Sequence, residues 1–247
     1  MIHLAIIAAL YLHIPTQSVA DKSSTECVIL LHGLGRTASS MKRMEEGLSS
    51  GGYLVANIGY DSRSGPIREL AEKAIPQGLE KCREGDAGTI HFVTHSLGGI
   101  LLRAFLEKNT IKELGRSVML APPNQGSAAV DVYRRIPGFG LVNGDAGFEL
   151  GTDDKSVPLS LGPVSFDVGI IAGDRTIDPL TSKMLANPDD GKVSVTDTKV
   201  EGMNDFLLVH RSHAFIMKAK DVIWQTKHYL THGQFDHADK TDEVEGN

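Results

Sequence analysis

Basic residues are in short supply. The chain has 25 Lys and Arg against 31 Asp and Glu, a formal charge of −6. That balance argues against a nucleic-acid partner, which a basic surface would have to hold. There is no internal repeat. The apolar run from Ile2 to Ile14 is too short to cross a bilayer, so no stable membrane span is expected. No metal-ligand spacing stands out. His228, His232 and His237 lie near acids of the C-terminal stretch, but without the spacing of a metal site, and neither metal nor cofactor is expected. Cysteine is limited to Cys27 and Cys82. Residues 1–20 contain no Asp, Glu, Lys or Arg; Pro15 breaks the apolar run and Ser18-Val19-Ala20 follows it. This reads as a secretory leader cleaved before Asp21, with an n-region that lacks the usual Lys or Arg, and it points to a secreted or periplasmic protein. A buried N-terminal strand or helix is the alternative.

What remains is enough for one globular domain over 21–231: hydrophobic residues make up 41% and charged residues 23% of the 247. Short apolar runs at 28–31, 53–58, 90–93, 118–121, 168–172 and 206–210 have the character of buried parallel strands. Helical stretches fall between them, at about 38–49, 67–80, 100–108, 193–200 and 213–230. Alternating strand and helix predicts an α/β fold: a mostly parallel sheet of about six strands with helices on both faces. The stretch 128–164, rich in glycine and proline, reads as irregular and as a possible cap over the sheet's carboxyl edge. Residues 232–247 read as a polar, frayed tail that carries −4 of the net charge.

Thr94-His95-Ser96-Leu97-Gly98-Gly99 sits between the apolar run ending at Val93 and the helical pattern starting at Ile100. A serine on a sharp strand-to-helix turn, with small residues around it, is a nucleophile elbow. Thr94 stands where the pattern G-x-S-x-G has its first glycine. An ordinary strand-to-helix turn is the competing interpretation of the motif alone. Serine needs a base, a group to orient that base, and donors for an oxyanion. His32-Gly33-Leu34-Gly35 follows the first strand, so the expected donors are the N–H groups of Leu34 and Leu97. His213, between the last strand and the last helix, is the candidate base, with His210 as competitor. His95 is too close to Ser96 on a tight turn to act as base and is expected to shape the pocket. For the acid, Asp174 and Asp190 both lie on loops at the carboxyl edge, with Asp178 and Asp189 as further options.

With these parts in order, the chain resembles the α/β-hydrolase superfamily, and most of all its bacterial triacylglycerol lipase and esterase branch. The matching pieces are 31–35, 94–99, Ala121 to Ser127, Asp190 to Val193 and Ser212-His213, which together span most of the chain. The resemblance implies a compact α/β-hydrolase fold and a Ser96–Asp190–His213 triad, since an Asp-Gly-x-Val turn carries the acid in these lipases; Asp174 stays as the alternative acid. It implies hydrolysis of a carboxylic ester, of a lipid or of a short-to-medium acyl chain, with a small-molecule substrate. An acyltransferase, thioesterase or amidase would use the same residues, and a non-catalytic binding protein on this scaffold is the reading from another class. Some of these lipases hold a structural calcium, for which no distinct ligand set is present. The cap would line the acyl pocket with Phe139, Leu141, Val142 and Phe148. In this fold the strands beginning near Cys27 and following Cys82 are parallel neighbours, so a disulfide between the two is expected, with two separate buried thiols as the alternative.

Overall fold

The computed structural model describes residues 25–238. The expected leader at 1–20 and the tail beyond 238 lie outside the described residues. Six strands form one sheet: β1 (Thr25–Leu31), β2 (Leu54–Ile58), β3 (Ala87–His95), β4 (Leu114–Leu120), β5 (Val168–Gly173) and β6 (Asp205–Val209). Their order across the sheet is β2-β1-β3-β4-β5-β6, and every neighbouring pair is parallel. Among the described residues nine α-helices lie between or after them: α1 (Lys42–Ser49), α2 (Ile67–Glu84), α3 (Leu97–Leu106), α4 (Ala128–Tyr133), α5 (Phe139–Phe148), α6 (Val157–Ser160), α7 (Pro179–Ser182), α8 (Val195–Thr198) and α9 (Lys220–His232).

A parallel sheet is covered on both faces, and its strands are apolar on both. In β1 successive side chains alternate between faces. Ile29 and Leu31 join the core under α2 and α3, whereas Val28 and Leu30 join the core under α1 and α9. All five residues from Cys27 to Leu31 are fully buried. This is the expected α/β arrangement. The elbow strand is longer than its apolar run, because the ladder carries the polar residues His91, Thr94 and His95 into the interior as well. Among the described residues no helix is long and apolar enough to cross a membrane.

Three expectations change. Residues 128–164 are not irregular: they fold into α4, α5 and α6, and short helices of this kind are hidden by their glycines. Gly144, at φ 63°, interrupts α5, and a Cβ there would lie 2.2 Å from the Arg63 carbonyl oxygen. The last helix does not begin at 213. A 3₁₀ turn spans Ile216–Lys218, the backbone extends at Ala219, and α9 starts only at Lys220. The tail is not frayed from 232. Gly233 caps α9 in the left-handed region, Phe235 packs at 4.8 Å against Tyr229 with 2% of its surface exposed, and its amide donates to Asp205.

Cys27 on β1 and Cys82 on α2 are joined by a disulfide, with Cα atoms 5.6 Å apart and a separation of 55 positions in sequence. It lies at the amino end of β1, the end away from the loop that follows Leu31.

Candidate active site

Strand β3 ends at His95 and α3 begins at Leu97, so Ser96 alone makes the turn. Its backbone sits at φ 52°, ψ −120°. That region is strained for a residue with a Cβ, at a cost of about 1–3 kcal/mol. The surroundings hold it there: the Ser96 amide donates to the Leu120 carbonyl at 2.9 Å, and its carbonyl accepts from Gly99 at 3.0 Å. Two glycines let other chain segments close around the turn. A Cβ on Gly98 would lie 2.5 Å from the Leu31 carbonyl oxygen, and one on Gly33 would lie 2.8 Å from His95 Nδ1.

His213 comes from the loop after β6. Its Nε2 is 3.0 Å from Ser96 Oγ, and its Nδ1 is 2.7 Å from Asp190 Oδ2. A carboxylate can only accept, so Nδ1 carries the proton and Nε2 keeps the lone pair that faces the serine hydroxyl. The same two residues are tied through the backbone, where the His213 amide donates to the Asp190 carbonyl at 3.0 Å. The Asp190 side chain is fully buried, and its other oxygen accepts from the amides of Lys192 and Val193 at 3.0 and 2.9 Å. Its carboxylate is therefore fixed by the turn that bears it.

The other acids are engaged elsewhere. Asp174 does not approach His213: it pairs with His210 at 2.9 Å, on an imidazole that is 76% exposed, so both the alternative acid and the competing base lie apart from Ser96. Asp189 accepts from the Gly191 amide at 2.7 Å and from Ser182, and Asp178 caps α7.

His95 is buried beside His213, with ring centroids 4.9 Å apart. Its Nε2–H donates to the His213 carbonyl at 3.0 Å, which leaves Nδ1 buried without a partner. Burial, helped by the neighbouring His213, holds its pKa well below the ordinary 6.5, so the ring is neutral. The amides of Leu34 and Leu97 have no hydrogen-bond acceptor among the described residues. Leu97 opens α3, where the first N–H groups have no partner within the helix and carry partial positive charge.

Above Ser96 lies a cavity of about 690 Å³. Apolar side chains dominate its walls, among them Leu34, Val130, Phe139, Leu141, Val142 and Leu150. Phe148, expected to line it, does not: it stacks edge-on behind Phe139 at 5.0 Å, because the break at Gly144 turns the second half of α5 away. Among the described residues no group of three or more His, Cys, Asp or Glu is placed to hold a metal ion.

Some supporting residues carry no local sequence signal. Tyr60 stacks on the buried His32 at 4.1 Å and hydrogen-bonds its carbonyl, which braces the 32–35 loop from 28 residues away. The 121–127 run straps the segment that follows Asp190: Ser127 Oγ donates to the Lys192 carbonyl at 2.8 Å and Asn124 to the Thr198 carbonyl at 2.8 Å. Arg103, a lone charge in the apolar helix α3, is buried and clamps Asn124 Oδ1 at 2.9 Å. Its burial lowers the guanidinium pKa to about 10. That isolated charge is the one signal that could have pointed to the strap.

A sequence profile of the alpha/beta hydrolase family matches residues 28–189. No curated protein matches the chain. Several solved structures share its fold at low identity. The mature form of the lipase BlEst2 from Bacillus licheniformis is 18% identical with a TM-score of 0.65, over 85% of this chain and 92% of its own. Lipase 1 from Pelosinus fermentans is 11% identical with a TM-score of 0.59, over 85% of this chain and 98% of its own. Phospholipase PlaB from Legionella pneumophila is 19% identical with a TM-score of 0.56, over 71% of this chain; the match spans 46% of that longer protein.

Proposed function

The chain belongs to the alpha/beta hydrolase family, and on that premise we propose that it cleaves carboxylic esters through an acyl-enzyme on Ser96. His213 Nε2 takes the Ser96 hydroxyl proton as Oγ attacks the ester carbonyl. The amides of Leu34 and Leu97 receive the negative charge that develops on the carbonyl oxygen. The imidazolium then returns its proton to the departing alkoxide, which leaves as the alcohol. Water attacks the acyl-enzyme in the reverse sense, with His213 again accepting a proton and Ser96 regaining its hydroxyl. Asp190 holds the Nδ1–H tautomer and stabilises the imidazolium.

The observation that carries this reading is the unbroken line from Ser96 Oγ through His213, at 3.0 and 2.7 Å, to the buried Asp190. The apolar cavity favours a lipidic or medium-length acyl group, and neighbours that are themselves lipases favour it too. The disulfide favours a secreted or periplasmic setting, where such bonds persist.

Labelling with a fluorophosphonate probe tests the nucleophile. The native chain should label at Ser96, and Ser96→Ala should not; persistent labelling of Ser96→Ala overturns the reading. A panel of p-nitrophenyl esters of graded chain length then ranks the acyl group. Repeating it with added acceptor alcohols separates hydrolysis from acyl transfer, since transfer yields the new ester in place of free acid.

A further inference from the structure

The chain is acidic as a whole, yet one side of the site entrance is basic. A groove of about 920 Å³ runs between the start of α1 and the loop that leads from His213 into α9. Five cations line it, Lys42, Arg43, Arg211, Lys218 and Lys220, against one acid, Glu46. Two of the five are partly spent locally. The Lys42 ammonium lies 3.7 Å from Glu45, and Arg211 forks onto Asp221 at 3.1–3.2 Å. Arg43, Lys218 and Lys220 make no ion pair among the described residues.

The groove adjoins the cavity above Ser96. Consecutive residues divide between the two: Ala214 lines the cavity and Phe215 lines the groove. The 33–43 segment does the same, with Arg36 at the cavity and Ser39 at the groove. Exposed apolar side chains lie on both the groove and the cavity wall. Phe215 is 56% exposed, and on the cap Leu141 is 90% and Val142 62% exposed. Through these two shared segments the basic groove and the exposed apolar residues of the cavity wall make up one rim.

We propose that this rim docks the protein on an anionic phospholipid surface, with the Arg43–Lys218–Lys220 groove against the phosphate layer and Phe215 and the cap entering the apolar layer below it. Charge complementarity selects the anionic surface, and continuity with the cavity mouth explains the position of the groove. The choice of a lipid occupant rests on the ester-hydrolase reading; the charge of the groove does not. Each cation near an anionic membrane strengthens binding about fivefold, and the attraction fades beyond a Debye length of about 8 Å in physiological salt.

Co-sedimentation with vesicles of ether-linked lipids tests this without ester cleavage, because such lipids have no ester to cut. The full chain should bind vesicles of equal parts phosphatidylglycerol and phosphatidylcholine, and bind phosphatidylcholine alone far more weakly. Raising the salt should release it. The Arg43→Gln/Lys218→Gln/Lys220→Gln variant should lose about a hundredfold in affinity for the anionic vesicles, at about fivefold per charge. Its turnover of soluble p-nitrophenyl acetate should stay at the native level, which also reports that the variant is folded. The single variant Lys220→Glu should show a smaller loss in the same direction. Equal binding to both vesicle types, or anionic binding that survives the triple substitution, overturns the proposal. So does tighter binding to a soluble polyanion such as heparin than to the vesicles. A native chain that binds anionic vesicles yet fails to label at Ser96 leaves the docking surface standing and removes only the esterase reading.

Discussion

Asp190 and His95 hold His213 from two sides, and they do so by different means. Asp190 fixes the tautomer through Nδ1, whereas His95 fixes the backbone through the His213 carbonyl. Asp190→Asn should therefore lower kcat by about 10³–10⁴-fold, the scale of losing the correct tautomer. Asp174→Asn should leave kcat within about twofold, since its partner is the exposed His210. A reversal of that order in ester turnover would move the acid to Asp174. His95→Leu should lower kcat with little change in KM, because it strands a buried carbonyl and frees the loop; His95→Gln, which still offers an N–H, should recover part of the loss. His95 also makes stability depend on pH. Burial lowers its pKa below the unfolded value of 6.5, so as pH falls through that value the unfolded chain takes up the proton first and the folded state loses ground. Urea midpoints should thus drop from about pH 7.5 to about pH 5.5, and His95→Gln should flatten that slope. At this scale Ser96 on its turn and His213 after the last strand were legible in the sequence as candidates, because a strand ending at a turn and a helix starting after it are local patterns. The choice between Asp174 and Asp190 was not: it depends on which carboxylate the β5 and β6 loops carry to the imidazole, a matter of long-range packing that only the family resemblance could anticipate.

The elements that frame the site differ in how much tolerance they have. Helix α3 lies so close to β1 that Gly98→Ala would push a methyl into the Leu31 carbonyl oxygen at 2.5 Å. Backbone cannot yield as a flexible side chain can, so this substitution should destabilise the fold by about 1–3 kcal/mol and lower the denaturation midpoint accordingly. The cap is looser. Leu141 lines the cavity while remaining 90% exposed, so Leu141→Ser should leave stability unchanged and raise KM for long-chain p-nitrophenyl esters more than for acetate. The six strands could be located from their apolar runs because a sheet buried on both faces requires them. The short cap helices could not, since Gly138, Gly144 and Gly147 suppress any periodic signal, and the delayed start of α9 was masked by the apolar Phe215, Ile216, Met217 and Ala219, which belong to or flank a 3₁₀ turn.

At the scale of the whole described domain, the candidate site and the covalent reinforcement sit at opposite ends of the sheet. The site gathers where the parallel strands end, as open parallel sheets direct. The Cys27–Cys82 bond lies near where β1 begins, about 13 Å from Leu31 at its other end at the rise of an extended strand. It closes a loop of 55 residues that contains β2 and most of α2, and restricting a loop of that length contributes about 4 kcal/mol through the unfolded chain. A reductant should therefore lower the thermal midpoint by several degrees and expose two thiols, whereas two free thiols before reduction would show that the bond is absent. The initial rate of ester hydrolysis, however, should be the same with the bond open or closed, provided it is read before unfolding sets in. The redox state of the surroundings would then act as a clock on this protein: it determines how long each molecule survives and leaves untouched how fast it works while it lasts.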